Sequence, residues 1–389
     1  MDSKRRDFLR MSLASVTGMA VPVLFPDHLF GASRTSNSSP EEIILGPEQP
    51  TEPMESIRFS VIGLNHGHIY GMVEALTGGG GELVAVYAKE PDLLQEFKRR
   101  YPDVKIARDE DEILGDSSIQ LVASASIPVE RAPLGIRVME SGKDYMVDKP
   151  GIVTLDQFEK VKQVQQKTER IYSIVYSERL SNPASVQAGN LVQSGAIGKV
   201  VQVIGLGPHR MRPETRPDWF FDPDKAGGIL TDIGSHQCDQ FLYYTNSKEA
   251  EVSFAQTGNF NTGDYPSYRD FGDMSVRSNH ATGYIRIDWF TPDGLSTWGD
   301  GRTFILGTEG YIEMRKYIDI AGREGGNHLF LVNQEETKYF NCSEVYMPYG
   351  EQLVKDVVNR TETAMTQDHC FLATELALNA QKMAFQLTG

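Results

Sequence analysis

Lys149, Asp232, His236 and Asp239 are the residues whose types and spacing could do chemistry. Asp232, His236 and Asp239 stand four and three residues apart in the stretch Gly227-Gly228-Ile229-Leu230-Thr231-Asp232-Ile233-Gly234-Ser235-His236-Gln237-Cys238-Asp239. A helix running through them would place all three side chains on one face. A histidine flanked by two carboxylates is a proton-transfer group, because the carboxylates hold its orientation and raise its basicity. The two glycines let the backbone approach something closely. Upstream, Asp148-Lys149-Pro150 closes what reads as a nucleotide-binding half. A lysine before proline is pushed toward extended backbone. At the end of a buried strand it sits where α/β folds bind ligands, and there it can hydrogen-bond a substrate hydroxyl and help remove its proton as hydride leaves. The set points to a redox enzyme in which Lys149 and His236 face a substrate. Two blander readings stand beside it: a capping aspartate with a partly buried histidine, and a zinc site completed by other ligands.

These residues need elements to hold them. Ile57 to Gly63, Glu82 to Tyr87, Ile119 to Ser124, Asp144 to Val147 and Ile171 to Tyr176 read as strands. Helix-like stretches alternate with them at Ile69 to Thr77, Asp92 to Tyr101, Ala132 to Ser141 and Leu155 to Thr168. That alternation predicts βαβ units and a parallel sheet covered on both faces. After Tyr176 the pattern changes to alternating strands at Lys199 to Leu206, Val252 to Phe260, Thr282 to Trp289, Thr303 to Leu306 and Tyr311 to Met314, with a closing helix from Phe371 to Leu387. The predicted fold class is α/β: a Rossmann-like domain over 57–176 and an α+β domain over 177–389 with an open, mostly antiparallel sheet.

In the first domain the turn Gly63-Leu64-Asn65-His66-Gly67-His68 lies where a dinucleotide fold places its phosphate loop. Only Gly63 matches the G-x-G-x-x-G fingerprint; Asn65 and His68 replace the other glycines. Backbone N–H groups at a helix start can still hold a pyrophosphate. His66 and His68 could also be metal ligands, but no third ligand is evident nearby, and no metal is expected. At the end of the second strand, Ala88 stands where NAD-binding folds carry a ribose-binding acid, followed by Lys89, which could pair with a 2′-phosphate. This tilts the expected cofactor toward NADP, with Lys89 as a plain surface lysine the competing reading. Ser126 and Lys149 complete the expected cofactor contacts. Trp219, in Trp219-Phe220-Phe221-Asp222, offers aromatic surface for a sugar face, or is core.

The net charge of −15, with no basic stripe, argues against nucleic acid and against anionic membrane surfaces. It fits a neutral small-molecule substrate. Residues 1–32 read as a twin-arginine export signal: Arg5-Arg6 precedes a mildly apolar run, Met11 to Phe25, too short and polar for a membrane span. A periplasmic protein is expected, cleaved near Ala32. Residues 33–56, rich in Ser, Pro, Thr and Glu, read as a flexible linker. Such export carries folded proteins, so a dissociable cofactor must be loaded first and held tightly. The three cysteines imply no disulfide framework, although a Cys342–Cys370 bridge is conceivable.

From about Ile57 to the end, the order of features resembles the Gfo/Idh/MocA oxidoreductases, named for glucose–fructose oxidoreductase and inositol dehydrogenase. The family's Glu-Lys-Pro is similar to Asp148-Lys149-Pro150. Its Gly-Gly-Gly-x-x-x-Asp-x-Gly-x-His-x-x-Asp is similar to Ala226-Gly227-Gly228 with Asp232, Gly234, His236 and Asp239. The resemblance implies NAD- or NADP-linked oxidation or reduction of a sugar or cyclitol. Lys149 and His236 would handle protons, Asp232 would position substrate, and homo-oligomers would form through the C-terminal sheet; Asp239 and the aromatic Trp219 are the further expected substrate contacts. The departures are the altered glycine fingerprint, the missing ribose acid, and Pro128 where many members carry Asn. Two other functions fit the same scaffold: redox-neutral glycoside cleavage by transient oxidation and elimination, and non-catalytic sugar or nucleotide binding.

Overall fold

The computed structural model describes residues 42–44 and 54–388, all within one compact unit spanning 40–389. The expected export signal and most of the expected linker lie outside the described residues.

Among the described residues, β1 (Glu42–Ile44) comes first. The first domain then runs β2 (Ile57–Ile62), α1 (His68–Gly78), β3 (Gly81–Tyr87), α2 (Pro91–Arg100), β4 (Lys105–Ile106), β5 (Leu121–Ser124), α3 (Pro128–Glu140), β6 (Asp144–Asp148), α4 (Leu155–Thr168) and β7 (Tyr172–Val175). Its sheet has the order β4-β3-β2-β5-β6-β7 and every pairing is parallel. β5, β6 and β7 are buried along their whole length, as a sheet covered on both faces requires. The strand order reverses beside β2, the switch point where such sheets bind ligands beyond the strand C-termini. α3 begins four residues before the expected start, because Pro128 occupies its first turn, where a missing N–H costs nothing.

The second domain contributes α5 (Pro183–Gln193), β8 (Val200–Pro208), a single helical turn at Ile229–Asp232, α6 (Gly234–Thr245), β9 (Glu251–Gly258), β10 (Phe271–Arg277), β11 (Thr282–Asp288), β12 (Arg302–Gly307), β13 (Gly310–Arg315), β14 (His328–Asn333) and β15 (Thr337–Asn341). The chain closes with α7 (Tyr349–Asn359), α8 (Gln367–Met383) and β16 (Phe385–Leu387). These strands form a sheet of order β1-β15-β14-β13-β12-β8-β11-β10-β9-β16. It is mostly antiparallel, as expected, but the β1–β15, β8–β11 and β9–β16 pairings are parallel.

Three expectations are corrected. Glu42-Ile43-Ile44, inside the expected linker, forms a strand on the β15 edge, in register with Tyr339 to Asn341. The closing helix ends at Met383, and its expected tail is strand β16 against β9. The last helices also pack back on the first domain. Gln367 accepts a hydrogen bond from the Tyr172 amide, the Tyr349 hydroxyl meets that of Ser173, and Tyr176 bonds the hydroxyl of Thr374. All three cysteines are buried and free, so the Cys342–Cys370 bridge does not form.

One face of the large sheet carries Val201, Phe254, Leu306 and Tyr311 exposed. No helix among the described residues is long and apolar enough to cross a membrane.

Candidate functional site

The strand ends of the first sheet build the site. β6 ends at Asp148, so Lys149 emerges at the crevice with its stem buried. Its Nζ donates to Asp232 Oδ1 at 2.8 Å, which brings the two sequence motifs together. Asp232 ends a single helical turn, and Ile233, itself right-handed helical, leads into α6, which carries His236 and Asp239 three residues apart. His236 is buried, and its Nδ1 has no hydrogen-bond partner among the described residues. A buried ring nitrogen without a partner calls for an explanation.

The expected flanking of His236 by carboxylates is overturned. Asp239 points away: its two oxygens accept from Arg179 Nε and Nη2 at 2.7 Å each, and Oδ1 also lies 2.7 Å from His369 Nε2. Fully buried and bound on both oxygens, Asp239 cannot contact a substrate, so its expected role is corrected to anchoring. The basicity of His236 is not raised either. Burial, then the charges of Lys149 and Lys316, push its pKa well below the ordinary histidine value. The ring is therefore held in its neutral form.

Around this centre lies a second group that the sequence did not reveal. Glu178, just past β7, accepts from Lys316 Nζ at 2.7 Å. His209, just past β8, lies with Nδ1 2.9 Å from the Gly207 carbonyl. Burial lowers its pKa to about 4, with Lys149 adding to the fall and Glu178 opposing it. Stability therefore has a pH window. Between about 4 and 6.5 the unfolded chain protonates His209 while the folded chain does not, so stability falls as pH drops through that range. Chemical denaturation should show His209 alone costing about 1–2 kcal/mol at pH 5 relative to neutral pH. A His209→Gln variant should show a shallower slope; an unchanged slope would contradict the assignment.

The loop after β2 departs from expectation in a coherent way. Gly63 has φ +86°, and a Cβ there would lie 1.8 Å from Ser126 Oγ, so only glycine fits. Ser126 is thus packed against the loop, its Oγ 3.0 Å from that of Ser124. Asn65 Nδ2 donates to Glu90 Oε1 at 2.8 Å. His66 Nδ1 and His68 Nδ1 lie 3.0 and 2.9 Å from the two oxygens of Asp148. The residue before the lysine is therefore the partner of His68, which replaces a glycine of the fingerprint, and of the neighbouring His66, and the expectation that no third ligand lies near them is corrected. Burial would push the Asp148 pKa up, but neighbouring His68, Arg131 and His66 overcome this and hold it well below the usual carboxylate range. Burial lowers His66 to about 4.

Arg131 holds this junction together. Fully buried, it donates from Nε to the Ser126 carbonyl at 2.7 Å, from Nη1 to the carbonyls of Asp148 and Lys149 at 3.0 and 2.5 Å, and from Nη2 to Asp148 Oδ2 at 3.1 Å. The one available sequence signal was a lone arginine on the apolar side of α3.

Two further expectations read differently in three dimensions. Lys89 is exposed and pairs with Glu130 Oε1 at 3.1 Å. Trp219 is half-buried with its ring edge-on to Phe220, inside an aromatic cluster that includes Tyr268 and Trp289. From the same loop Arg216 stacks on Phe220, Trp289 and Trp298 at 4.6, 4.9 and 5.0 Å, and its charge senses Asp232.

A nicotinamide dinucleotide fits this geometry. The strand order and a helix start at Gly67 with no side-chain cap are what a pyrophosphate needs. Comparison with known proteins agrees. Residues 57–176 match the oxidoreductase family with an NAD-binding Rossmann fold, and residues 185–313 match the GFO/IDH/MocA C-terminal domain. A crystal structure from Erwinia carotovora atroseptica, assigned as an oxidoreductase, is 43% identical with TM-score 0.83, covering 86% of this chain and 100% of that one. The chain belongs to the GFO/IDH/MocA oxidoreductase family.

Among curated relatives of this family member, the NADP(+)-linked scyllo-inositol 2-dehydrogenase of Bacillus subtilis is 26% identical over 44% of this chain and 48% of its own length. The NAD(+)-linked scyllo-inositol 2-dehydrogenase of the same organism is 25% identical over 66% of this chain and 73% of its own. The chain spans about half the length, or less, of the first curated relatives it matches. Levoglucosan dehydrogenase in complex with NADH shares the fold at 18% identity, with TM-score 0.67 over 85% of this chain and 98% of that one.

Proposed function

We propose that this family member is an NAD(P)-linked dehydrogenase acting on a secondary alcohol of a sugar, glycoside or cyclitol. The observation that carries the reading is the unpartnered, buried Nδ1 of His236 beside the Lys149–Asp232 pair. The dinucleotide would be held by the Gly63–His68 loop, the start of α1, and the ends of β3 and β5; when bound it supplies the hydride acceptor. The protein's own residues handle the proton. Asp232 fixes the Lys149 ammonium. That ammonium donates to the substrate oxygen and stabilises the negative charge that grows as the hydroxyl ionises. His236 Nδ1 accepts the hydroxyl proton. In the reverse direction each group returns what it took.

The test is turnover. The chain is incubated with NAD+ or NADP+ and a panel of sugars, glycosides and cyclitols, and nicotinamide reduction is followed. Reduction with one class supports the reading. Cleavage of a glycoside without net reduction would replace it with the redox-neutral alternative. Nucleotide binding with no turnover of any compound would favour a binding protein.

Preference for NADP rests on Lys89. Its pairing with Glu130 is exposed on both sides, and such pairs contribute about 0–1 kcal/mol, so it exchanges readily for a 2′-phosphate. Lys89→Ala should weaken NADP binding roughly three- to tenfold and leave NAD unchanged, as read by titration calorimetry. Equal effects on both would remove the preference. Export to the periplasm, proposed from Arg5-Arg6 and the apolar run after it, is tested by fractionating cells that express the chain with Lys-Lys in place of Arg5-Arg6. Self-association is proposed through the open sheet face. Light scattering should give a multiple of the chain mass, and Leu306→Glu with Tyr311→Glu should return the monomer.

A further inference from the structure

We propose that His66, His68 and Asp148 form a binding site for a divalent first-row transition-metal ion of the zinc class. Two imidazole nitrogens and one carboxylate converge there, all three ligand atoms within 4.8 Å of one another. His66 Nδ1 lies 3.0 Å from Asp148 Oδ2 and His68 Nδ1 lies 2.9 Å from Asp148 Oδ1. Two ligands that each lie about 2.1 Å from one ion stand roughly 3–3.4 Å apart, so the ion enters with little movement. Two histidines and a carboxylate on one side of an ion, with the other positions open, is a recurrent transition-metal set, and imidazole selects against magnesium and calcium.

The surroundings support a built site. Asp148 is 1% exposed; its Oδ1 faces His68 alone, while Arg131 Nη2 holds Oδ2 at 3.1 Å on the side that also meets His66. Metal-binding carboxylates are commonly oriented by such a second hydrogen bond. The two imidazoles, 31% and 42% exposed, give the ion a path in from solvent. Their rings are mutually perpendicular, at 86°, with centroids 4.1 Å apart, so the two Nδ1 atoms approach from different directions instead of stacking. His66 and His68 come from the loop after β2, and Asp148 from the end of β6, eighty residues on. A bound ion would therefore tie the dinucleotide loop to the strand that carries Lys149. The remaining coordination positions open toward solvent at the crevice and are filled by water or by an oxygen of whatever occupies it.

The proposal is independent of the dehydrogenase reading, and its test uses no nucleotide. The full chain, stripped with a chelator, is titrated with zinc in competition with a chromophoric chelator. One equivalent per chain should bind. His66→Ala and His68→Ala should each raise Kd at least tenfold, while His280→Ala, on an exposed loop outside the cluster, leaves it unchanged. Because His66 and His68 are partly exposed, both variants are expected to fold, and circular dichroism checks this. Absence of stoichiometric zinc, or zinc binding that survives His68→Ala undiminished, would overturn the site and leave a hydrogen-bonded clamp.

Discussion

Lys149→Met should lower kcat for the alcohol found by screening by about 10³-fold, with KM changed by less than tenfold. The side chain gives one hydrogen bond to Asp232, and in the proposed reaction its loss removes a contact that strengthens only as the substrate oxygen gains charge. Positioned acid–base groups contribute about 10²–10⁴-fold. Asp232→Asn keeps the shape of the pair and removes its charge, so its loss should be smaller, roughly 10–100-fold. Titration with NAD and NADP should show the nucleotide bound normally by Lys149→Met, which separates lost chemistry from a lost site. Steady-state kinetics that retain more than a tenth of kcat would remove Lys149 from the mechanism.

Arg131→Met should destabilise the fold by about 3–5 kcal/mol, measured by chemical denaturation with circular dichroism. The guanidinium is 1% exposed and bonds five acceptors on two loops: the carbonyls of Ser126, Asp148, Lys149 and Pro150, and the Asp148 carboxylate. Methionine fills the space but leaves those acceptors buried and short of donors, including one oxygen of a charged group. Arg131→Lys should recover little, because a single ammonium cannot reproduce a planar fork spanning both loops. A loss under 1 kcal/mol for either variant would show that the junction is held by something else.

The sequence carried the first domain well because its signals are local. α4 is bounded by Thr154, whose hydroxyl accepts from the Gln157 amide, and the buried strands are short apolar runs between polar turns. The second domain was harder. β10 carries Gly272 and Asp273, β14 opens on a buried histidine, and β15 contains Lys338, so none shows clean alternation; neighbouring strands and covering helices make them strands. The site divides the same way. Lys149, Asp232 and His236 stood out as motifs, and the fold brings Lys149 and Asp232 into contact across 83 residues. The pairing of Asp148 with His68 and of Asp239 with His369 spans 80 and 130 residues, and no pattern along the chain encodes either. Along the chain Asp239 therefore looks like a substrate contact, and the partners of Asp148 are not visible. The altered glycine fingerprint and the aspartate of Asp-Lys-Pro look like two unrelated departures on the page, and in space they are one contact.

The central claim is that the crevice beside Lys149 takes a nicotinamide dinucleotide. The most direct measurement is to purify the full chain without added nucleotide, denature it, and identify what is released by mass spectrometry, with titration of NAD and NADP for any chain that emerges empty. The account predicts release of NAD or NADP approaching one per chain, or saturable binding of at least one of them. A chain that releases neither and binds neither would contradict it.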